Sequence, residues 1–462
     1  MLRELRALLV WVVVLGLVGA GVVLGGGPAL RAAGVWVDGG SPTIDPSLYA
    51  PSPTPTPSPL APTPYATARG TVAPPATTSL LPRLQAVPRT GLGRVAMAVT
   101  DPASGTAVAG EAADTPLTPA STLKLLTSAA ALAAFGPEHR FTTKVVAGQG
   151  GQVVLVGGGD PLLRGATPDR YPLRASIVDL AEATATALKG RGTTTVSLGY
   201  DESLFSGPAW NPSWLPGYAE FATPTSALWV DEGIVGGIHR TTPTTDAVAV
   251  FVQQLQARGI TVTATAPVVA AKDAQQIAAV QSLPLELIVQ ELLLHSDNDA
   301  TEVLFRHVAI AAGKQGSIAD AQAAVPARLA EIGLWRDGMR MEDGSGLSRG
   351  NLATASTLSA AVTKGFTDPR YRSLLVGLPT AAADGTLGSR FDDPATEGAG
   401  RGVVRAKTGT LTGIHTLAGF ATTRSGQTLV FAFMTNDVVP NGDLTARDWL
   451  ERVSTVVAAC GC

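Results

Sequence analysis

Hydrophobic and polar positions divide the chain into three stretches of different character. Leu8 to Leu24 is an almost unbroken apolar run behind Arg3 and Arg6, and it trails into Gly25-Gly26-Gly27. The run approaches the ~20 residues that span a bilayer and no Ala-x-Ala site follows it, so residues 1–34 read as an export signal retained as a membrane anchor. The rest of the chain is then extracytoplasmic, held at the membrane or released into the cell wall. Residues 35–83 have almost no apolar periodicity. From Ser41 to Pro82 they are dense in Pro, Thr, Ser and Ala, which favours extended polyproline II and a semi-rigid linker.

Periodic patterns begin at Leu84. Arg94–Thr100 and Thr106–Gly110, either side of Asp101–Gly105, read as strand, turn and strand. An apolar stretch to Phe135 follows, with Thr118 as N-cap, Pro119 at the first helical position and Gly136-Pro137 as the stop; it predicts a helix with Ser121 in its first turn. Phe141 to Val280 is strand-rich, with a strand at Val153–Val156 and a helix at Ala247–Arg258. Helical spacing returns at Leu285–Leu294, breaks at Ser296-Asp297-Asn298 and resumes from Ala300 to Ala311. Val403–Gly409, His415–Thr423 and Leu429–Thr435 read as consecutive antiparallel strands, and the amphipathic stretch Leu444–Ala458 closes the chain. Strands at both ends with helices between them imply an α+β fold, one antiparallel sheet flanked by helices. The catalytic domain is expected at 84–146 and 276–462, around an inserted accessory region at 147–275.

Composition narrows the chemistry. The 462 residues hold 34 basic and 37 acidic side chains, a formal charge of −3 that gives no pull toward nucleic acid. The two cysteines, Cys460 and Cys462, end the chain, and neither Cys nor His shows ligand spacing, so no metal and no cofactor is expected. A local disulfide and a pair of free thiols both remain open for that tail.

Only seven lysines occur, which makes two of them conspicuous. Ser121-Thr122-Leu123-Lys124 sets a hydroxyl and an amine three residues apart at a helix start, on one face and within contact range. Serine needs a base to become a nucleophile, and an amine serves only when neutral; a helix N-terminus and burial both disfavour the ammonium form. Alone, such a motif is also the sequence of a capping-turn Ser beside a solvated Lys. It gains weight from Ser296-x-Asn298 in a helix break and Lys407-Thr408-Gly409 on a strand, in the order known for one mechanistic class.

With these motifs the chain resembles the penicilloyl-serine transferases, and among them the D-alanyl-D-alanine carboxypeptidase/endopeptidase family of penicillin-binding protein 4 type. Gly157-Gly158-Gly159-Asp160-Pro161, Asp343-Gly-Ser-Gly-Leu-Ser348, Asp384-Gly-Thr386 and the long insert between the first two motifs are similar to that family as well. The resemblance implies a serine β-lactamase/transpeptidase-like fold and cleavage between two D-alanines of peptidoglycan stem peptides through an acyl-enzyme on Ser121, with β-lactams as covalent inhibitors. It implies Lys124 as proton acceptor, Ser296 as relay and Asn298 on the substrate amide. Lys407, Thr408, Gly409 and Thr410 would hold the terminal carboxylate, Lys407 would depress the Lys124 pKa, and the N–H groups of Ser121 and Thr410 would form the oxyanion hole.

Rival readings lack their context. Gly346-Leu-Ser348-Arg-Gly350 matches a hydrolase nucleophile elbow, but the polar stretch before it is no buried strand. The five histidines show no His-Glu-x-x-His, and the acidic pairs Glu342-Asp343 and Asp392-Asp393 are neighbours that do not face each other as glycosidase carboxylates must. A β-lactamase would want a Glu-x-x-x-Asn segment, and none is evident. A wall-binding scaffold with vestigial catalysis would not show intact motifs. Trp210, Trp214 and Trp229 read as core packing more than as a sugar platform.

Overall fold

A computed structural model describes residues 77–168 and 171–461; the apolar run Leu8–Leu24 and most of the expected linker lie outside the described residues. The first elements are α1 (Thr77–Gln85), β1 (Arg94–Thr100), β2 (Ala107–Glu111) and α2 (Lys124–Phe135). The accessory region holds β3 (Thr142–Ala147), β4 (Val153–Val156), α3 (Ile177–Lys189), β5 (Thr195–Asp201), the short pair β6 (Ile234–Val235) and β7 (Ile238–His239), α4 (Pro243–Ala257), β8 (Thr261–Pro267) and β9 (Gln276–Gln281). Then come α5 (Leu285–His295), α6 (Asn298–Ala311), α7 (Ile318–Glu331), α8 (Ala355–Thr367), β10 (Val404–Leu411), β11 (Ile414–Thr422), β12 (Thr428–Asn436) and α9 (Asp443–Ala458).

The strands from the two ends form one antiparallel sheet in the order β10-β11-β12-β1-β2. Its two faces carry different residues. Leu429, Phe431 and Phe433 of β12, with Met97 and Val99 of β1, face α1 and α9, where they meet Leu80, Leu84, Trp449 and Val453. The alternate positions Ala96, Ala98, Ala418 and Ala432 are small and face the helical layer, including Leu358 and Val362 of α8. A period of two thus puts bulk on one face and close backbone approach on the other. Beneath that small face runs α2, buried over nearly its whole length and packed among α5, α6, α7 and α8. A helix apolar all round belongs in a core, and this one carries its first residue, Lys124, in with it.

The second sheet has the order β8-β5-β4-β3-β9, with β4, β5 and β8 parallel. Parallel neighbours need crossovers, and α3 and α4 supply them, packing Leu180, Leu188, Phe251 and Leu255 on Val196 and Leu198. This sheet overruns the expected boundaries 147–275, since β3 starts at Thr142 and β9 ends at Gln281. At the other end, α1 begins inside the expected linker at 35–83, because Leu80 and Leu84 have a core to fill against Phe431 and Trp449. Cys460 is disulfide-bonded; the chain's other cysteine, Cys462, lies outside the described residues. Among the described residues no helix is long and apolar enough to cross a membrane.

Candidate active site

The segment before α2 is tighter than its sequence suggests. Residues Ala120–Leu123 form a 3-10 turn that runs directly into the α-helix at Lys124. Thr118 is not the cap expected of it: its hydroxyl donates to the Arg349 carbonyl and its N–H to Asn436 Oδ1, while Pro119 takes the N-cap position with no side-chain cap. Three residues per turn eclipse positions i and i+3, so Ser121 and Lys124 stack, with Nζ 3.2 Å from Oγ. Ala120, the first residue of this turn, has φ +47°, a left-handed conformation that costs an alanine energy. Gly346 secures that turn from behind; a Cβ there would lie 2.0 Å from the Ala120 carbonyl oxygen.

Lys124 is fully buried, and its Nζ also donates to Asn298 Oδ1 and to the Ser345 carbonyl, each at 2.7 Å. Burial pulls its pKa down to about 8, against the opposing pull of Asp343, Asp297, Glu302 and Asp299. Desolvation is thus the expected cause, whereas the expected influence of Lys407 is seen in the other direction, at Lys407, whose pKa burial and the Lys124 charge hold well below the usual amine range.

The other two motifs arrive from opposite sides. Ser296 ends α5 in a left-handed conformation, φ +60°, which turns the chain at the helix break; Asp297 then caps α6 by accepting the Ala300 N–H at 2.8 Å. Lys407 reaches in from β10, with Nζ 2.9 Å from Ser296 Oγ and 2.8 Å from the Thr408 carbonyl. Thr408 Oγ1 lies 2.9 Å from Thr386 Oγ1, which brings the Asp384-Gly-Thr386 stretch to the strand. Gly409 is where β10 passes the Ser121 turn: a Cβ there would sit 2.1 Å from Thr416 Oγ1, 2.7 Å from the Pro119 carbonyl and 3.1 Å from the Ser121 nitrogen. Thr410 follows, exposed, on the same strand. All eight expected site residues thus fall on the turn and helix start at Ser121–Lys124, the helix break or the strand beside them.

Several further buried groups hold this arrangement, Glu302 with no motif of its own and Asp343 at the head of the Asp343–Ser348 stretch. Glu302, one turn into α6, accepts the N–H groups of Gly344 and Ser345 at 3.0 and 2.7 Å, and so aims the Ser345 carbonyl at Lys124; burial raises its pKa to about 8. Asp343 accepts from the Gly346 and Ser348 N–H groups, Asn351 Nδ2 and the indole of Trp214. Trp214 is therefore a core residue, packed with Leu347, as is Trp229, whose indole donates to the Pro161 carbonyl. Ser348 is buried in this loop with its hydroxyl on Glu342, without the strand that an elbow requires.

A five-stranded antiparallel sheet covered by helices, with the serine turn below its edge strand, is the fold of the penicilloyl-serine transferases. A solved structure of penicillin-binding protein 4 from Haemophilus influenzae superposes with a TM-score of 0.66 over 81% of this chain and 97% of that one, at 21% identity. The sequence profile of the D-Ala-D-Ala carboxypeptidase 3 (S13) family matches residues 77–237 and 236–457, and the chain belongs to that family. A carboxypeptidase of Mycobacterium tuberculosis is 38% identical over 387 residues, 80% of this chain and 81% of its own length. The carboxypeptidase DacB of Mycolicibacterium smegmatis is 35% identical, covering 80% and 82%. The protein is a serine-type D-Ala-D-Ala carboxypeptidase of the peptidoglycan-acting kind.

Proposed function

We propose that Ser121 is the nucleophile and that Lys124 accepts its proton. The carrying observation is a fully buried amine, with its pKa lowered to about 8, lying 3.2 Å from the hydroxyl. As the proton passes to Nζ, Oγ bonds to the carbonyl carbon between the two terminal D-alanines of a stem peptide. The backbone N–H groups of Ser121 and Thr410 stabilise the oxyanion. The C–N bond then breaks, the departing amine takes a proton relayed through Ser296, and water hydrolyses the ester. Asn298 orients the substrate amide. Lys407 holds the substrate's terminal carboxylate, with Thr408, Gly409 and Thr410 completing that subsite. β-Lactams follow the same first step.

The reaction takes place outside the membrane, the catalytic portion being carried there by the Leu8–Leu24 segment as an anchor. An accessory region inserted in a catalytic domain is supported by its separate sheet, whose edge strands are β8 and β9. Incubation with a fluorescent penicillin followed by peptide mapping should label Ser121. Label should vanish in Ser121→Ala and drop by roughly 10³-fold or more in rate in Lys124→Ala. Label on Ser348, or undiminished label without Ser121, would sink the assignment.

A further inference from the structure

Two neighbouring side chains at the start of α6 grip the same stretch of the accessory region. Asn298 Nδ2 donates to the Phe221 carbonyl at 2.8 Å, and Asp299, 3% exposed, accepts the Thr223 N–H on Oδ1 at 2.7 Å. Behind them His239, at the end of β7, places Nδ1 2.8 Å from Thr223 Oγ1 and 3.3 Å from Asp299 Oδ2. The remaining amide atom of Asn298, Oδ1, is the one that meets Lys124. An amide turned over would present N–H to that amine instead of an acceptor, and what keeps it from turning is the Phe221 carbonyl. The position of that carbonyl in turn depends on the Asp299 carboxylate, which holds the Thr223 N–H two residues further along the segment. We propose that Asp299, backed by His239, is a positioning residue for acyl transfer: it pins Phe221–Thr223 of the accessory region against the Ser-x-Asn turn and so sets which face of the Asn298 amide Lys124 meets.

The electrostatics act in the same sense. Facing Asp299 are His239 from β7, Asp297 from its own turn, Glu232 from the accessory region and Lys124 from α2, with Arg174 lying 3.9 Å from Glu232. Burial raises the Asp299 carboxyl while His239 lowers it, and the hydrogen bond to Asp299 raises His239. The Asp299 charge in turn favours the ammonium form of Lys124. The inference rests on Ser121 and Lys124 acting as proposed above, so its test must fail separately from theirs.

In the full chain, second-order acylation by a fluorescent penicillin is followed across about pH 6 to 10, beside thermal midpoints, in Asp299→Ala, Asp299→Asn and His239→Gln. Asp299→Ala is expected to lose roughly tenfold or more in rate among molecules that remain folded, the scale of a misplaced group near the reacting atoms. Asp299→Asn keeps an oxygen for the Thr223 N–H and should recover most of that rate at high pH. Its acid limb should move to lower pH, because a charge that held Lys124 protonated is gone. His239→Gln should lose less than Asp299→Ala. A residue that merely supported folding would lower the midpoints and leave the limb in place. Wild-type acylation by Asp299→Ala, or an unmoved limb in Asp299→Asn, overturns the proposal. Persistent label in a Ser121→Ala control would instead overturn the nucleophile assignment.

Discussion

Lys124 shows how a residue's chemistry is set by where its backbone starts. It is the first residue of a helix with no polar face, and burial strips its water before any partner is counted. Catalysis that needs the neutral amine should rise with pH through about 8, and a pH profile of acylation reads this directly. Stability should follow the same proton. Because the folded pKa lies below the ordinary lysine value of about 10.5, the unfolded chain binds the proton more readily between about pH 8 and 10.5. Over that window the wild type should gain on a Lys124→Met variant by on the order of 1.4 kcal/mol per pH unit in urea unfolding. Gly409 makes a steric demand as strict as this electrostatic one. In Gly409→Ala the new Cβ overlaps Thr416 and the Pro119 carbonyl, pushing β10 off the nucleophile turn; acylation should fall by roughly 10²-fold, read by the same labelling assay.

At the scale of elements, most segments with strong periodicity form where the pattern puts them. The β1–β2 hairpin, the three C-terminal strands, α9 and the break between α5 and α6 all match, because each exposes one face and buries the other or carries a turn signal at its end. The misses have physical causes. The 3-10 turn at Ala120–Leu123 cannot be told from an α-helical start by composition; it is imposed by Gly346 and Gly409, which press on Ala120 and Pro119 from distant parts of the chain. α1 was hidden in a proline-rich stretch, with Pro82 inside it, and is retained by the core it fills. Local signals still govern helix ends where no tertiary contact competes. Ser176 caps α3 by accepting the Asp179 N–H at 3.0 Å, so Ser176→Ala should cost about 1 kcal/mol in unfolding experiments and leave acylation unchanged.

Across the described residues, early strands β1 and β2 join late strands β10 to β12 in one sheet, and its far side depends on a buried ion pair. Arg390, in the loop before β10, contacts Glu451 of α9, and Glu451 also accepts the Phe391 N–H at 2.9 Å. Removing one partner leaves a buried charge, so Arg390→Met should destabilise the fold by about 3 kcal/mol, and adding Glu451→Leu should recover much of that in the same measurement.

The sequence alone determined the fold class, the terminal strands, the helix break and the three motifs, since these depend on periodicities and spacings of a few residues. Only the tertiary structure decided which of those residues meet and who holds them. Ser121, Ser296 and Lys407 lie more than a hundred residues apart, and Glu302, Asp299 and His239 are unremarkable letters until folding buries them. Spacing along a chain sets which face a side chain is on, whereas desolvation and partnership belong to the three-dimensional neighbourhood, and it is desolvation that lowers the pKa of Lys124.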